Sequence, residues 1–138
     1  MKRLISLFPL LLLTACSPKP ASVVDRYLKD IQSGNTTDQT KLECVHGEGV
    51  DKSLIQSAPA WTVVGEQQRS DPPYNYQVVT VKIGDDTFHV RVWKTDDIYK
   101  RQVESDKKLE KAGIKLSTAG ARSSWSPEEY CVSAELTP

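Results

Sequence analysis

Between residues 76 and 95 apolar and polar side chains alternate on both sides of Gly84-Asp85, and no other segment constrains the fold as tightly. A two-residue loop there sets Ile83 opposite Asp86, Val81 opposite Phe88, Val79 opposite Val90 and Gln77 opposite Val92, so that one face of the hairpin is apolar. The other face then carries Lys82 with Thr87, Thr80 with His89, Val78 with Arg91, and Tyr76 with Trp93. A three-residue loop would put Val81 opposite His89 and Val79 opposite Arg91, mixing the faces. The pattern therefore selects strands over 76–83 and 86–95 joined by a tight turn, which Gly-Asp favours by its backbone freedom. The apolar face is core. The face built from Tyr76, His89, Arg91 and Trp93 has two readings: a surface for an anionic group or a partner protein, or a face covered by another element.

Helices precede this hairpin. Ser22 and Asp25 form a plausible capping pair, Val24, Tyr27, Leu28 and Ile31 follow a helical period, and Gly34-Asn35 ends the helix. A second helix is expected over 38–45, burying Leu42 and Val45, and a helical turn over 51–56, burying Leu54 and Ile55. His46-Gly47-Glu48-Gly49 separates them, either as a flexible connector or as an anion-binding nest. Residues 61–68 form a further expected strand, stopped by Ser70-Asp71-Pro72-Pro73. After the hairpin, Asp96-Asp97 stands at a helix cap and 98–112 reads as a helix with a thin apolar stripe, expected to lie exposed and to carry Asp97–Arg101 and Glu104–Lys108 pairs. Residues 118–127 make a loop whose Trp125 either docks back or lies at a pocket mouth. Tyr130, Val132, Ala134 and Leu136 alternate as a last strand, with Cys131 facing the other way. The order describes an α+β fold: N-terminal helices packed on a curved, mainly antiparallel sheet of about four strands, with one exposed later helix.

The start of the chain carries an address. Met1-Lys2-Arg3 is a basic region and residues 4–13 are almost wholly apolar, too short for the roughly 20 residues of a spanning helix but right for a secretory signal. The run ends in Leu13-Thr14-Ala15-Cys16, which resembles the lipobox of bacterial lipoproteins. That resemblance implies a diacylglyceryl thioether on Cys16, cleavage before it, and a membrane attachment through buried acyl chains; the alternative is an ordinary signal cut after Ala15. Ser17, in place of the Asp that retains enterobacterial lipoproteins in the inner membrane, implies the outer membrane with the domain facing the periplasm, or the outer face of the plasma membrane in a single-membrane cell. The expected organisation is a signal peptide over 1–15, a short tether over 16–21 kept from helix by Pro18 and Pro20, and one domain over 22–138. In an exported chain, Cys44 and Cys131 form an even pair and are expected to make a disulfide. Cys44, His46 and Glu48 with His89 also offer metal-ligand types, although tetrahedral ligand spacing is missing.

Charge limits the function classes. Eighteen Lys and Arg balance eighteen Asp and Glu, and loss of the two basic residues in 1–15 leaves 16 against 18, a net charge of −2. No nucleic-acid partner driven by bulk charge is expected. The sequence carries no nucleotide-binding loop, serine nucleophile elbow or zinc signature, and no cofactor is expected. The element order resembles the NTF2-like or cystatin-like superfamily, whose members range from binding domains to enzymes with acid-base residues in a cone-shaped pocket. None of this chain's residues matches such a motif, and only Asp25 and His89 stand as candidates to move a proton. The expectation is a non-enzymatic, lipid-anchored interaction module with an envelope protein as partner; the alternative is an NTF2-like ligand carrier or enzyme with an apolar pocket.

Overall fold

The computed structural model describes residues 19–50, 52–57, 60–114 and 120–134; Cys16, the signal and tether residues before Lys19, and Leu136 lie outside them, as does the side chain of Leu54. The elements run α1 (Pro20–Ser33), α2 (Thr36–Leu42), α3 (Lys52–Gln56), β1 (Thr62–Asp71), β2 (Tyr74–Ile83), β3 (Asp86–Lys94), α4 (Thr95–Lys111), a 3-10 turn (Arg122–Ser124) and β4 (Tyr130–Ala134). The four strands form one antiparallel sheet in the order β1-β2-β3-β4. The fold is α+β, with helices before the sheet and one later helix.

The central hairpin has the two-residue register throughout, from Ile83 opposite Asp86 to Tyr76 opposite Trp93. Gly84 sits at φ +58, in the left-handed region that this turn demands and a β-carbon would strain. Its apolar face receives α1. Val24, Tyr27, Leu28 and Ile31 pack on Val79, Val81, Val90, Val92 and Val132, and nearly all of them lose their solvent exposure completely. Each such aliphatic burial contributes roughly 1.5–3 kcal/mol, so this interface is the main source of stability.

Several boundaries differ from the sequence expectation. The first helix starts at Pro20, not after Ser22: proline at the first helical position has no N–H to leave unpaired and a φ already suited to helix. Helix geometry therefore enters the last residues of the expected tether. Asn35 both follows the first helix and caps the second, accepting from the Asp38 N–H at 3.3 Å. The second helix stops at Leu42, and residues 43–46 turn extended instead of continuing to Val45. Ser70-Asp71-Pro72-Pro73 does not separate two regions. It closes a second hairpin, with Asp71 opposite Tyr74 and a cis Pro72–Pro73 peptide, so β1 runs to Asp71 rather than to Gln68. A bulge between Val63 and Gly65 leaves Val64 53% exposed on the edge strand. Asp96 and Asp97 lie inside the first turn of α4 rather than at its cap, where they still complement the helix dipole.

Candidate interaction surface

The second face of the sheet is covered at one end and open at the other. At the covered end Tyr76 and Trp93 stack across the hairpin with ring centroids 4.2 Å apart and planes 20° from parallel. The Arg91 guanidinium lies 5.6 Å from the Tyr76 ring and that of Arg101, from α4, lies 5.8 Å from Trp93. Cations above and below a stacked pair are attracted to the electron-rich ring faces. Arg101 also pairs with Asp71 at the end of β1, and the Tyr74 hydroxyl donates to Glu104 at 3.2 Å. These contacts hold α4 against the sheet. Trp93 is only 3% exposed, covered rather than open to solvent.

The rest of this second core comes from distant parts of the chain. Cys44 and Cys131, both buried, form a disulfide with Cα atoms 4.8 Å apart. Glu43 and Cys44 lie beside β4: the Cys44 N–H donates to Val132 O at 3.0 Å, and on its other side Cys44 O accepts from the Ser126 N–H at 3.1 Å. Trp125 docks back, 4% exposed, with its ring edge-on to Tyr99 at 5.3 Å. Arg122 stands over Tyr99, pairs with Asp96 at 3.0 Å and donates to Ser126 O at 2.8 Å. A cleft of about 440 Å³ opens between residues 44–49, α4 at Ile98, Arg101 and Gln102, and the end of β4.

Oxidation removes Cys44 from the metal-ligand set considered above, because a disulfide sulfur is no thiolate; among the described residues no group of three or more His, Cys, Asp or Glu is placed to hold a metal ion. The two candidate proton movers do not converge. Asp25 is bound at 2.6 Å by the Lys29 ammonium, which holds its carboxyl below the usual range; the Trp61 indole N–H at 3.0 Å acts the same way, against the effect of partial burial. It ties α1 to the segment entering β1. His89 Nδ1 meets the Thr80 hydroxyl at 2.9 Å across the hairpin, on the opposite side of the sheet from α1.

One polar cluster was hidden in the sequence. Glu43, which has no solvent exposure, accepts the Tyr27 hydroxyl at 2.7 Å on one oxygen and the Gly47 N–H at 3.2 Å on the other. Burial, then the bond to Glu43 and its charge, push the Tyr27 phenol far above its ordinary value of 10.0. The Gly47 N–H of the 46–49 loop is thus taken up by a side chain of the same protein, Glu43. Gly49 lies so close that a β-carbon there would collide with Tyr27 Oη and Glu43 Oε2. The available hint was Tyr27 itself: a tyrosine at a core position of a helix needs a partner for its hydroxyl.

Toward the Gly84-Asp85 turn the second face is open. Thr80, His89 and Arg91 are half-buried, Lys82 and Thr87 are exposed, and the polar edge strand β1 flanks them. Of the sequence-predicted patch, the structure keeps His89 at this open end and places Trp93 beneath α4, with half-buried Tyr76 and Arg91 between. No family model, no curated protein and no solved structure matches this chain.

Proposed function

We propose that this chain is a lipid-anchored cell-envelope protein, attached through Cys16, whose domain serves as a non-enzymatic interaction module facing the periplasm. The observation that carries the reading is the filled interior. The space between α1 and the sheet, where a carrier or enzyme of the cone-shaped kind would keep a ligand, is occupied by Val24, Leu28, Val79, Val81 and Val90, each at 0% exposure. The polar groups that remain reachable, Lys82, Thr87 and His89, lie on the outside of the sheet. A mixed, mostly polar surface with basic groups suits an acidic face on another envelope protein. The disulfide between Cys44 and Cys131 supports an oxidising compartment, in keeping with export.

Intact-mass measurement of the protein purified from membranes tests the anchor: a diacylglyceryl-modified, acylated Cys16 as first residue is expected, and an unmodified start overturns it. A photo-crosslinker at Thr87 tests the surface in intact cells. A discrete adduct is expected, abolished by Lys82→Glu with His89→Glu and retained with Lys107→Glu; an adduct indifferent to both changes overturns the surface.

A further inference from the structure

At the end of the sheet away from the Gly84-Asp85 turn, where α1 begins, an open cleft of about 470 Å³ lies between Lys19, Pro20, Tyr76, Lys94, Asp97 and Tyr130. Two ammonium groups against one carboxylate favour an anion. Pro20, Pro73, Tyr130 and Val92 give part of the cleft a carbon lining beside the neutral amides of Asn75 and Gln77, so the anion it suits carries carbon and polar groups next to its charge rather than a full hydration shell. Position narrows the choice. Lys19 follows Cys16 by three residues, a reach of roughly 10 Å even when fully extended. With acyl chains on Cys16 in the leaflet, a cleft at Lys19 stands at the depth of the lipid headgroups. From these observations we infer that the cleft takes the phosphate of a membrane phospholipid, Lys19 and Lys94 facing the charge and Tyr130, Pro20 and Pro73 facing the glyceryl carbons. The domain is then seated with α1's first turn on the membrane and the Gly84-Asp85 turn pointing away from it, which leaves the Lys82–His89 surface free for a partner. This inference rests on the lipid-anchored reading given above.

The test uses full-length lipidated protein in two kinds of vesicle of zero net charge, zwitterionic phosphatidylcholine and digalactosyldiacylglycerol, the second containing no phosphate. Acylation of each lysine by a water-soluble reagent is followed by mass spectrometry. Lys19 and Lys94 are expected to react several-fold more slowly in phosphatidylcholine than in galactolipid, while Lys107 on α4 reacts equally in both. Lys94→Gln should return Lys19 to its galactolipid rate. Equal rates for Lys19 and Lys94 in the two vesicles overturn the inference. Slowing by inorganic phosphate added to galactolipid vesicles also overturns it, since the site would then take free phosphate. The mass of the starting protein separates the two levels: a lipidated Cys16 with equal rates sinks only the cleft, whereas an unlipidated start sinks the anchor as well.

Discussion

The two faces of the sheet are built on opposite plans. On the α1 face Val79, Val81, Val90 and Val92 meet Val24, Leu28 and Ile31, carbon against carbon, and the segments involved are regular and long. On the other face Cys44, Trp93, Trp125 and Cys131 make a small cluster from four separate places in the chain, framed by Tyr74, Tyr76, Ile98 and Tyr99 and by arginines over the rings. The first plan depends on area removed from water and tolerates changes of detail; the second depends on a few large side chains, each in a specific place. Damage should therefore be diffuse on one face and concentrated on the other.

The sharpest comparison is Trp93→Ala against Leu28→Ala. Large-to-small changes in a core cost about 3–5 kcal/mol for Trp and about 2–5 kcal/mol for Leu, so denaturant unfolding should find Trp93→Ala at least as damaging as Leu28→Ala. A loss of about 0.5 kcal/mol or less at Trp93, the level usual for surface positions, would mean that the second face is no core at all. The expectation also bears on binding work: loss of a partner in Trp93→Ala would report unfolding, not a missing contact. Next in size is the disulfide. Joint replacement of Cys44 and Cys131 by Ala should cost about 2–4 kcal/mol, because the disulfide closes a long loop and pins the chain at Cys44 to β4. Chemical reduction should reproduce the effect in the parent and do nothing to the double variant.

The Glu43 cluster lies between the two plans: a polar pair under the aliphatic core. Glu43→Ala leaves the Tyr27 hydroxyl and the Gly47 N–H without their acceptor and should cost about 1–3 kcal/mol, Glu43→Gln less. Gly49→Ala should exceed Glu43→Gln, since the added carbon meets Tyr27 and Glu43 directly. A pH signature follows from the raised Tyr27 pKa. The unfolded phenol ionises near 10.0 and the folded one well above it, so stability from this group is complete below pH 10 and falls as pH rises beyond it. Alkaline unfolding curves should show that fall, and Tyr27→Phe should flatten it; an unchanged slope in Tyr27→Phe would assign the loss to other groups.

The contrast also explains what could be read in advance. The hairpin register was legible to the residue because a one-place slip would turn every valine of 79, 81, 90 and 92 to the wrong side. Helix α1 was legible from Val24, Tyr27, Leu28 and Ile31 for the same reason. The Cys44–Cys131 disulfide followed from cysteine count and compartment rather than from geometry. By contrast, Glu43 gave no local signal. It sits one residue past α2, and its environment is made by Tyr27 from an earlier helix and Gly47 from a later loop. The Pro72-Pro73 turn is not legible because proline pairs usually break strands, whereas here the strands on both sides pair through the turn. Candidate surface residues were legible as a face, but their exposure was not: what covers Trp93 is α4, which returns from outside the hairpin.

That return of α4 gives the smallest and most discriminating test. The sequence pairs Arg101 with Asp97 and Glu104 with Lys108 along the helix; in the folded protein Arg101 reaches Asp71 on β1, and Glu104 accepts from Tyr74 on β2. Both Arg101 and Asp71 are about half exposed at the side chain, with 45% of each reachable by solvent, so their charge pair is screened and should add only about 0–1 kcal/mol. Arg101 additionally covers Trp93, which a neutral residue of similar length would partly preserve. A double-mutant cycle of Arg101→Gln with Asp71→Asn should therefore give a coupling below about 1 kcal/mol, while Arg101→Ala should cost more than Arg101→Gln. A large coupling with equal costs for Ala and Gln would mean that charge, rather than the stack on Trp93, keeps the helix on the sheet.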